Sequence, residues 1–229
     1  MKHSGIAEIK SRSFSVDPEQ IKQLKYLVRE GEGLHLEFKR RASSPDQIVR
    51  EMIAFANTSG GILLVGVNDD GELSGVKYPE EESLLIRKAI VKYSRPHIIF
   101  TETVIPLSGM KFVIQYEIPV SRRRPHVFRV SNRQSITYIR LRDMSMKASR
   151  EMSEIVKRGK EGKNVQFTYG EKESTLMKFL ERNAKITLTE FEVLSGLNHQ
   201  EAAEKLITLV LANVLKITPT DKGDFYSRL

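Results

Sequence analysis

Residues 31–76 decide the fold and read GEGLHLEFKRRASSPDQIVREMIAFANTSGGILLVGVNDDGELSGV. The segment LHLEF alternates apolar Leu34, Leu36 and Phe38 with polar residues, which predicts a strand with one buried side. The apolar run at 62–67, ILLVGV, is typical of a strand that is covered on both faces.

A helix is predicted between these two strands. Ser44 is placed to cap it, Pro45 suits its first position, and the glycines Gly60 and Gly61 suit the tight turn that follows it. Its predicted buried side consists of Ile48, Met52, Ile53, Phe55 and Ala56. A strand, a helix and a second strand are therefore expected in that order.

Several blocks of this stretch together resemble the Schlafen AlbA-type (AlbA_2) domain. They are Gly31-Glu32, the tripeptide Glu37-Phe38-Lys39, AFANTSGG at 54–61 and LLVGVNDDG at 63–71. The resemblance implies an α+β fold with a mixed sheet. It also implies a DNA-binding or transcription-regulator module of the kind described in bacteria.

Composition narrows the class of protein. The chain has 229 residues, 40% hydrophobic and 29% charged, which is ordinary for globular proteins and leaves room for two domains. It contains no cysteine, which excludes disulfides and thiolate metal sites. The longest apolar run is far too short to cross a bilayer. We expect a cytoplasmic protein with no membrane partner.

The positive charge is uneven along the chain. The net charge is +8, and residues 171–229 carry −1, so residues 1–170 carry +9. A basic domain of this kind indicates a polyanionic partner such as DNA or RNA.

The remaining pattern predicts the domain organisation. Helices are expected after Pro18 and Pro79, and strands at 98–105, 111–119, 126–130 and 135–141. We predict a tail at 1–17, an α/β Schlafen AlbA-like domain at 18–158, a linker at 159–170 and a second domain at 171–229.

The second domain is expected to contain three helices and a two-stranded hairpin. This order resembles a winged helix-turn-helix, with Gly196 in the turn between the second and third helices. The third helix, at 198–211, exposes more acids than cations, which is unfavourable for entering a DNA groove. We therefore predict that this module mediates protein contacts, either in a homodimer or with another protein.

Arginines are concentrated between residues 119 and 150, with Asp143 as the one acid. In ITYIRLR, strand alternation predicts Ile139 and Leu141 in the core, with Tyr138, Arg140 and Arg142 on an exposed face. Such a face can combine phosphate contacts with base stacking. The predicted nucleic-acid-binding residues are Lys39, Arg40, Arg41, Arg122, Arg123, Arg124, Arg129, Arg133, Tyr138, Arg140 and Arg142.

An enzymatic alternative rests on the resemblance. Animal Schlafen domains are known to cleave RNA with three acids, and the resemblance matches Glu32, Glu37 and Asp69 to them, with Lys39 as a further catalytic candidate. Because Asn68 stands where many relatives have an acid, Asp70 is the alternative third acid. These carboxylates would hold Mg²⁺ or Mn²⁺ in such a nuclease. Other interpretations stay open: Lys39 can pair with Glu37 within the strand, and Asp69-Asp70-Gly71 can be an ordinary turn.

The favoured prediction is a non-enzymatic nucleic-acid-binding protein with no cofactor. A metal-dependent endoribonuclease and a protein-interaction adaptor acting through the winged helix are the two alternatives.

Overall fold

The computed structural model describes residues 16–159 and 165–229. Residues 1–15 of the predicted tail and 160–164 of the predicted linker lie outside the described residues. Within the described ranges the helices are α1 (Pro18–Glu30), α2 (Pro45–Asn57), α3 (Pro79–Tyr93), α4 (Arg150–Arg158), α5 (Glu171–Arg182), α6 (Leu188–Ser195) and α7 (His199–Leu211). The strands are β1 (Leu36–Lys39), β2 (Gly61–Val65), β3 (Ser94–Arg95), β4 (Thr101–Leu107), β5 (Lys111–Ile118), β6 (Val127–Arg129), β7 (Ser135–Leu141), β8 (Met144–Lys147), β9 (Leu215–Thr218) and β10 (Phe225–Arg228).

The first sheet has the strand order β1-β2-β5-β4, with β1 parallel to β2 and the other pairs antiparallel. Side chains of β2 alternate between two cores. Leu63 and Val65 pack in the cluster that contains α2, whereas Leu64 packs with Leu24 of α1. The strand is therefore covered on both faces, as its continuous apolar run predicts.

Helix α2 begins at Pro45 as predicted, although the side chain of Ser44 makes no capping hydrogen bond. Its predicted apolar residues are all buried. After the helix, Gly60 adopts a φ of +69°, and a Cβ built there would lie 2.9 Å from the carbonyl oxygen of Ile118. Only glycine combines this dihedral angle with so close an approach of two chain segments.

The second sheet has the order β3-β6-β7-β8 and packs on α2 from the other side. Phe128 and Tyr138 of this sheet lie in the same hydrophobic cluster as α2. Asn57 ties the helix end to the sheet: its Nδ2 donates to the carbonyl oxygens of His126 and Tyr138, both at 2.9 Å, and its Oδ1 accepts from the amide of His126 at 2.7 Å. These bonds fix the sheet against the C-terminal end of α2.

Helices α5, α6 and α7 and the β9-β10 hairpin enclose a separate hydrophobic cluster. Ile186, between α5 and α6, forms a β-bridge with Tyr226 of the hairpin. This element order agrees with the prediction for residues 171–229.

Polar contacts join this C-terminal part to α4. Arg158 pairs with Glu204 of α7, with an Nη2–Oε2 distance of 2.8 Å. Ser149, which caps α4, donates to the Oδ2 of Asp224 at 2.5 Å. Helix α4 therefore connects the domain that contains the two four-stranded sheets to the C-terminal helices.

Several predicted details are wrong. Strands β3 and β8 are absent from the predicted elements. Leu34 lies before β1 and is 38% exposed, whereas Glu37 is only 6% exposed, since both sides of β1 are covered. The apolar spacing in α3 predicts a buried side made of Leu84, Leu85, Ile86, Ala89, Ile90 and Tyr93. Leu84 and Leu85 are instead about half exposed, so the buried stripe of α3 is narrower than this pattern predicts.

Every helix in the described part of the chain is too short or too polar to span a membrane.

Candidate nucleic-acid interface

Arg140 of β7 is the centre of a buried charge cluster. Its side chain is 1% exposed, with Nη2 2.7 Å from Glu37 Oε2 and Nη1 2.8 Å from Glu51 Oε2. Nη2 also donates to the carbonyl oxygen of Gly33 at 2.8 Å, and the guanidinium lies 4.9 Å from the ring centroid of Phe55. The positive charge of Arg140 is therefore compensated by carboxylates inside the protein.

The predicted exposed face of β7 is therefore wrong in two of its members. Arg140 is 3% exposed and Tyr138 is 6% exposed, and Ile139 between them is buried as well. The side of β7 that carries Tyr138 and Arg140 is covered because α2 packs against it. Arg142 does remain exposed, in the turn between β7 and β8.

Most of the other predicted cations lie at the surface. Seven arginines are exposed and form no ion pair with any described residue: Arg40, Arg41, Arg122, Arg123, Arg129, Arg133 and Arg142. Arg124 is partly buried, and its Nη2 donates to the carbonyl oxygen of Gly159 at 3.2 Å. Arg129 donates to Oδ1 of Asn132 at 3.1 Å, which leaves its charge uncompensated.

These arginines form separate groups instead of one continuous face. Arg133 lies in the turn before β7 and Arg142 lies just after it, so about 20 Å of strand separates them. Arg122 and Arg123 belong with Arg142. The amide of Ser121 donates to the carbonyl oxygen of Ala56, near the end of α2, at 2.9 Å. The amide of Arg140 donates to Oγ1 of Thr58, just after α2, also at 2.9 Å.

Arg122, Arg123 and Arg142 thus lie close to the C-terminal end of α2, and we call them the α2-end arginines. Arg40 and Arg41 lie at the other end of this helix, in the segment that connects β1 to α2. The shallow pocket there is lined by Lys39, Arg40, Arg41 and Ser43.

The predicted ion pair between Lys39 and Glu37 is confirmed. Nζ of Lys39 donates to Oε1 of Glu37 and, at 2.9 Å, to the carbonyl oxygen of Phe38. Lys39 is therefore less available to a phosphate than its neighbours Arg40 and Arg41.

Carboxylates gather next to this pair. Burial raises the pKa of Glu32, and the nearby charges of Glu37 and Asp69 raise it further. Burial also raises the pKa of Glu51, helped by the charge of Glu37, although the bond from Ser145 lowers it. The three predicted acids do lie near each other, and Glu51 is a fourth member.

These acids do not fit a divalent cation as they are placed. Both oxygens of Glu37 are bonded to cations, and Oε1 of Glu32 accepts from the amide of Phe38 at 2.8 Å. Across residues 16–159 and 165–229, no group of three or more His, Asp or Glu is arranged to hold a metal ion. The predicted Mg²⁺ or Mn²⁺ site at Glu32, Glu37 and Asp69 is therefore not supported by the donor set.

Sequence reasoning missed Glu51 and its role. The signal was present, because Glu51 is three residues after Ile48 and four before Phe55, on the apolar side of α2. A carboxylate at such a position indicates a buried cationic partner.

The geometry of α7 also bears on the predicted recognition helix. Glu204 is paired with Arg158 of α4, and Lys205 is paired with Glu173 of α5. Nδ1 of His199 lies 2.6 Å from Oε1 of Glu192. Three of these side chains are therefore engaged by neighbouring elements, whereas Glu201 of α7 accepts a bond, among the described residues, only from the amide of Asn198, the residue that caps the helix.

Fold and site together define a mixed α+β protein with separate groups of exposed arginines and a buried guanidinium–carboxylate cluster. The family described as Schlafen, AlbA_2 matches residues 32–149, which is more than half of the 229 residues. The chain belongs to this family. Membership supports a role connected with nucleic acids. None of the curated proteins matches the chain.

Two solved structures are similar to the chain. One is the DIP2311 protein from Corynebacterium diphtheriae, with 17% identity and a TM-score of 0.44; the similarity covers 91% of this chain and 38% of that one. The other is the N-terminal domain of a DNA helicase RecG-related protein from Nitrosomonas europaea. It has 19% identity and a TM-score of 0.38, covering 56% of this chain and 92% of that one. At these scores the two structures carry no argument about the site.

Proposed function

We propose that this protein binds nucleic acid through the phosphate backbone, without reading the base sequence. The observation that carries the proposal is the set of exposed arginines, including the α2-end arginines, that have no acidic partner among the described residues. Unpaired guanidinium groups at the surface are free to form bidentate bonds with phosphate oxygens.

Counterion release supplies the free energy of such binding. Each phosphate that is neutralised by a cation releases condensed salt ions, so binding is favourable at low salt for any sequence. The family-matched residues 32–149 carry +5 of the +9 excess in residues 1–170, which supports binding by this part of the chain. Such binding suits a protein that resembles a transcriptional regulator.

The test uses the double variant Arg122→Ala/Arg123→Ala and fluorescence anisotropy with a labelled DNA duplex. We expect a loss of affinity of about tenfold or more at low salt, because two charged hydrogen bonds are removed. The loss should be equal for duplexes of unrelated sequence.

The matched control is Lys216→Ala/Lys222→Ala, which removes the same charge from two exposed positions of the C-terminal part. Its affinity should stay close to that of the wild type. Equal affinities for wild type and the Arg122→Ala/Arg123→Ala variant would refute the placement of the interface.

The other two candidate functions receive less support. Metal-dependent RNA cleavage needs free carboxylate oxygens, and those of Glu37 are engaged by Lys39 and Arg140. For residues 171–229, the order of three helices and a hairpin supports a winged helix-turn-helix. We propose that it serves protein contacts, whether within the chain, in a homodimer or with another partner, because the acids of α7 oppose DNA binding.

A further inference from the structure

Helix α1 carries a basic and aromatic stripe that the predicted site residues do not include. Lys22, Lys25, Tyr26 and Arg29 follow the spacing i, i+3, i+4, i+7, which places them on one side of a helix. All four are exposed, and the ring-bearing side chain of Tyr26 is exposed to 66%.

The opposite side of α1 fixes the orientation of this stripe. Leu24 is buried against Phe38 and Leu64 of the first sheet, and Ile21, Leu27 and Val28 pack around the same cluster. Because these four residues anchor the helix, the stripe points away from the protein.

Two exposed acids of α1, Glu19 and Glu30, lie near the stripe, and Glu30 forms no ion pair with any residue in the described ranges. Glu19 lies 3.7 Å from Nζ of Lys22, but both side chains are well exposed, so this pair is weak and screened. Lys25 and Arg29 have no ion pair with any residue in the described ranges. An exposed tyrosine between unpaired cations is the combination that stacks on a base while the cations hold its phosphates.

We infer that the outward side of α1 is a second nucleic-acid site, one that takes single strands. The inference rests on the proposed function and adds the type of strand. From Lys22 to Arg29 the helix rises about 10 Å, which matches about three nucleotides of a stacked strand at about 3.4 Å each. A duplex offers no unpaired base face to Tyr26, whereas a single strand does.

This site is separate from the α2-end arginines. Helix α1 packs on the face of the first sheet that carries Leu64, and α2 packs on the opposite face with Leu63. Residues 22–29 also precede the family-matched range of 32–149. Substitutions in α1 therefore leave the other interface intact.

The experiment measures binding of the full chain to a fluorescein-labelled oligo(dT) of about 12 nucleotides and to a DNA duplex of the same length. Tyr26→Ala should weaken oligo(dT) binding by about tenfold or more, the usual effect of losing one stacked base. Tyr26→Phe keeps the ring and should stay within about twofold of the wild type. Duplex affinity should be the same for all three proteins.

The charge of the stripe is tested with Lys25→Ala/Arg29→Ala. For oligo(dT), the slope of log affinity against log salt should become shallower by about 1.4, which corresponds to two lost phosphate contacts on a single strand. Circular dichroism of each variant serves as the control for folding.

The outcomes separate this inference from the proposed function. If the duplex binds and Tyr26→Ala leaves oligo(dT) affinity unchanged, the α1 site is refuted while the proposed function stands. If Tyr26→Phe loses as much as Tyr26→Ala, stacking is refuted. If the wild type binds neither probe at low salt, both proposals fail.

Discussion

Arg140 and Arg142 are two residues apart, yet they have opposite surroundings. Arg140 is enclosed by Glu37, Glu51 and the carbonyl oxygen of Gly33, whereas Arg142 is exposed in a turn. Burying a guanidinium is costly unless it is paired and fully hydrogen-bonded, and these partners supply that compensation. Arg140 therefore holds β1, α2 and β7 together instead of serving a ligand.

This assignment predicts a large loss of stability in Arg140→Met. Removing the guanidinium leaves Glu37 buried beside Lys39 alone, and we expect the free energy of unfolding to fall by about 3–5 kcal/mol. Urea denaturation followed by circular dichroism measures the change.

The control is Arg133→Met, an exposed position in the turn before β7. Its free energy of unfolding should stay within about 0.5 kcal/mol of the wild type. A similar small effect for Arg140→Met would mean that the buried cluster contributes nothing to stability.

At the scale of elements, the turn between α2 and β2 determines how the helix lies on the first sheet. Gly60→Ala should lower the free energy of unfolding by about 1–3 kcal/mol, because alanine must keep a left-handed φ and its Cβ would meet Ile118. Gly33→Ala is the matched control, since its Cβ would meet nothing within 4 Å. Chemical denaturation should give a lower unfolding midpoint for Gly60→Ala than for Gly33→Ala. Equal midpoints for the two variants would contradict this role of the turn.

The junction between α4 and the β9-β10 hairpin is expected to respond to pH. Burial raises the pKa of Asp224 above its ordinary value of 3.8, the Glu151 charge adds to this, and the bond from Ser149 opposes it. A raised carboxyl pKa in the folded state contributes stability below pH 3.8 that is lost as pH rises through the folded pKa.

Asp224→Asn tests this junction because asparagine can still accept the Ser149 bond but carries no charge. The stability of the variant relative to the wild type should increase as pH rises from below 3.8 to 7. Urea midpoints of both proteins across this range give the difference. A difference that does not change with pH would show that Asp224 titrates normally.

At the scale of the whole molecule, apolar periodicity predicted the framework well. The run at 62–67 and the apolar side of α2 correspond to buried elements, because a continuous or 3.6-residue pattern has few structural solutions. Charged residues were harder to place. Tyr138 and Arg140 follow the same alternation whether an exposed face or a buried ion-pair cluster results, and only the packing of α2 decides between them.

The same limitation explains Glu51 and Leu84. Glu51 lies on the apolar side of α2, but its partner Arg140 is 89 residues away in sequence, so no local pattern reveals the pair. Leu84 satisfies the helical pattern of α3 and is nevertheless 51% exposed, since no described element covers that side. Whether a charged side chain is exposed or buried is therefore decided by partners that are distant in sequence, not by local propensities.

The central claim is that exposed, unpaired arginines bind the phosphate backbone, and the salt dependence of duplex affinity tests it most directly. For the wild type, log affinity should fall linearly with log salt, and in Arg122→Ala/Arg123→Ala the slope should be shallower by about 1.8, or about 0.9 for each lost contact. The Lys216→Ala/Lys222→Ala control should keep the wild-type slope. A wild-type affinity that does not change with salt, or one slope shared by all three proteins, would contradict the claim.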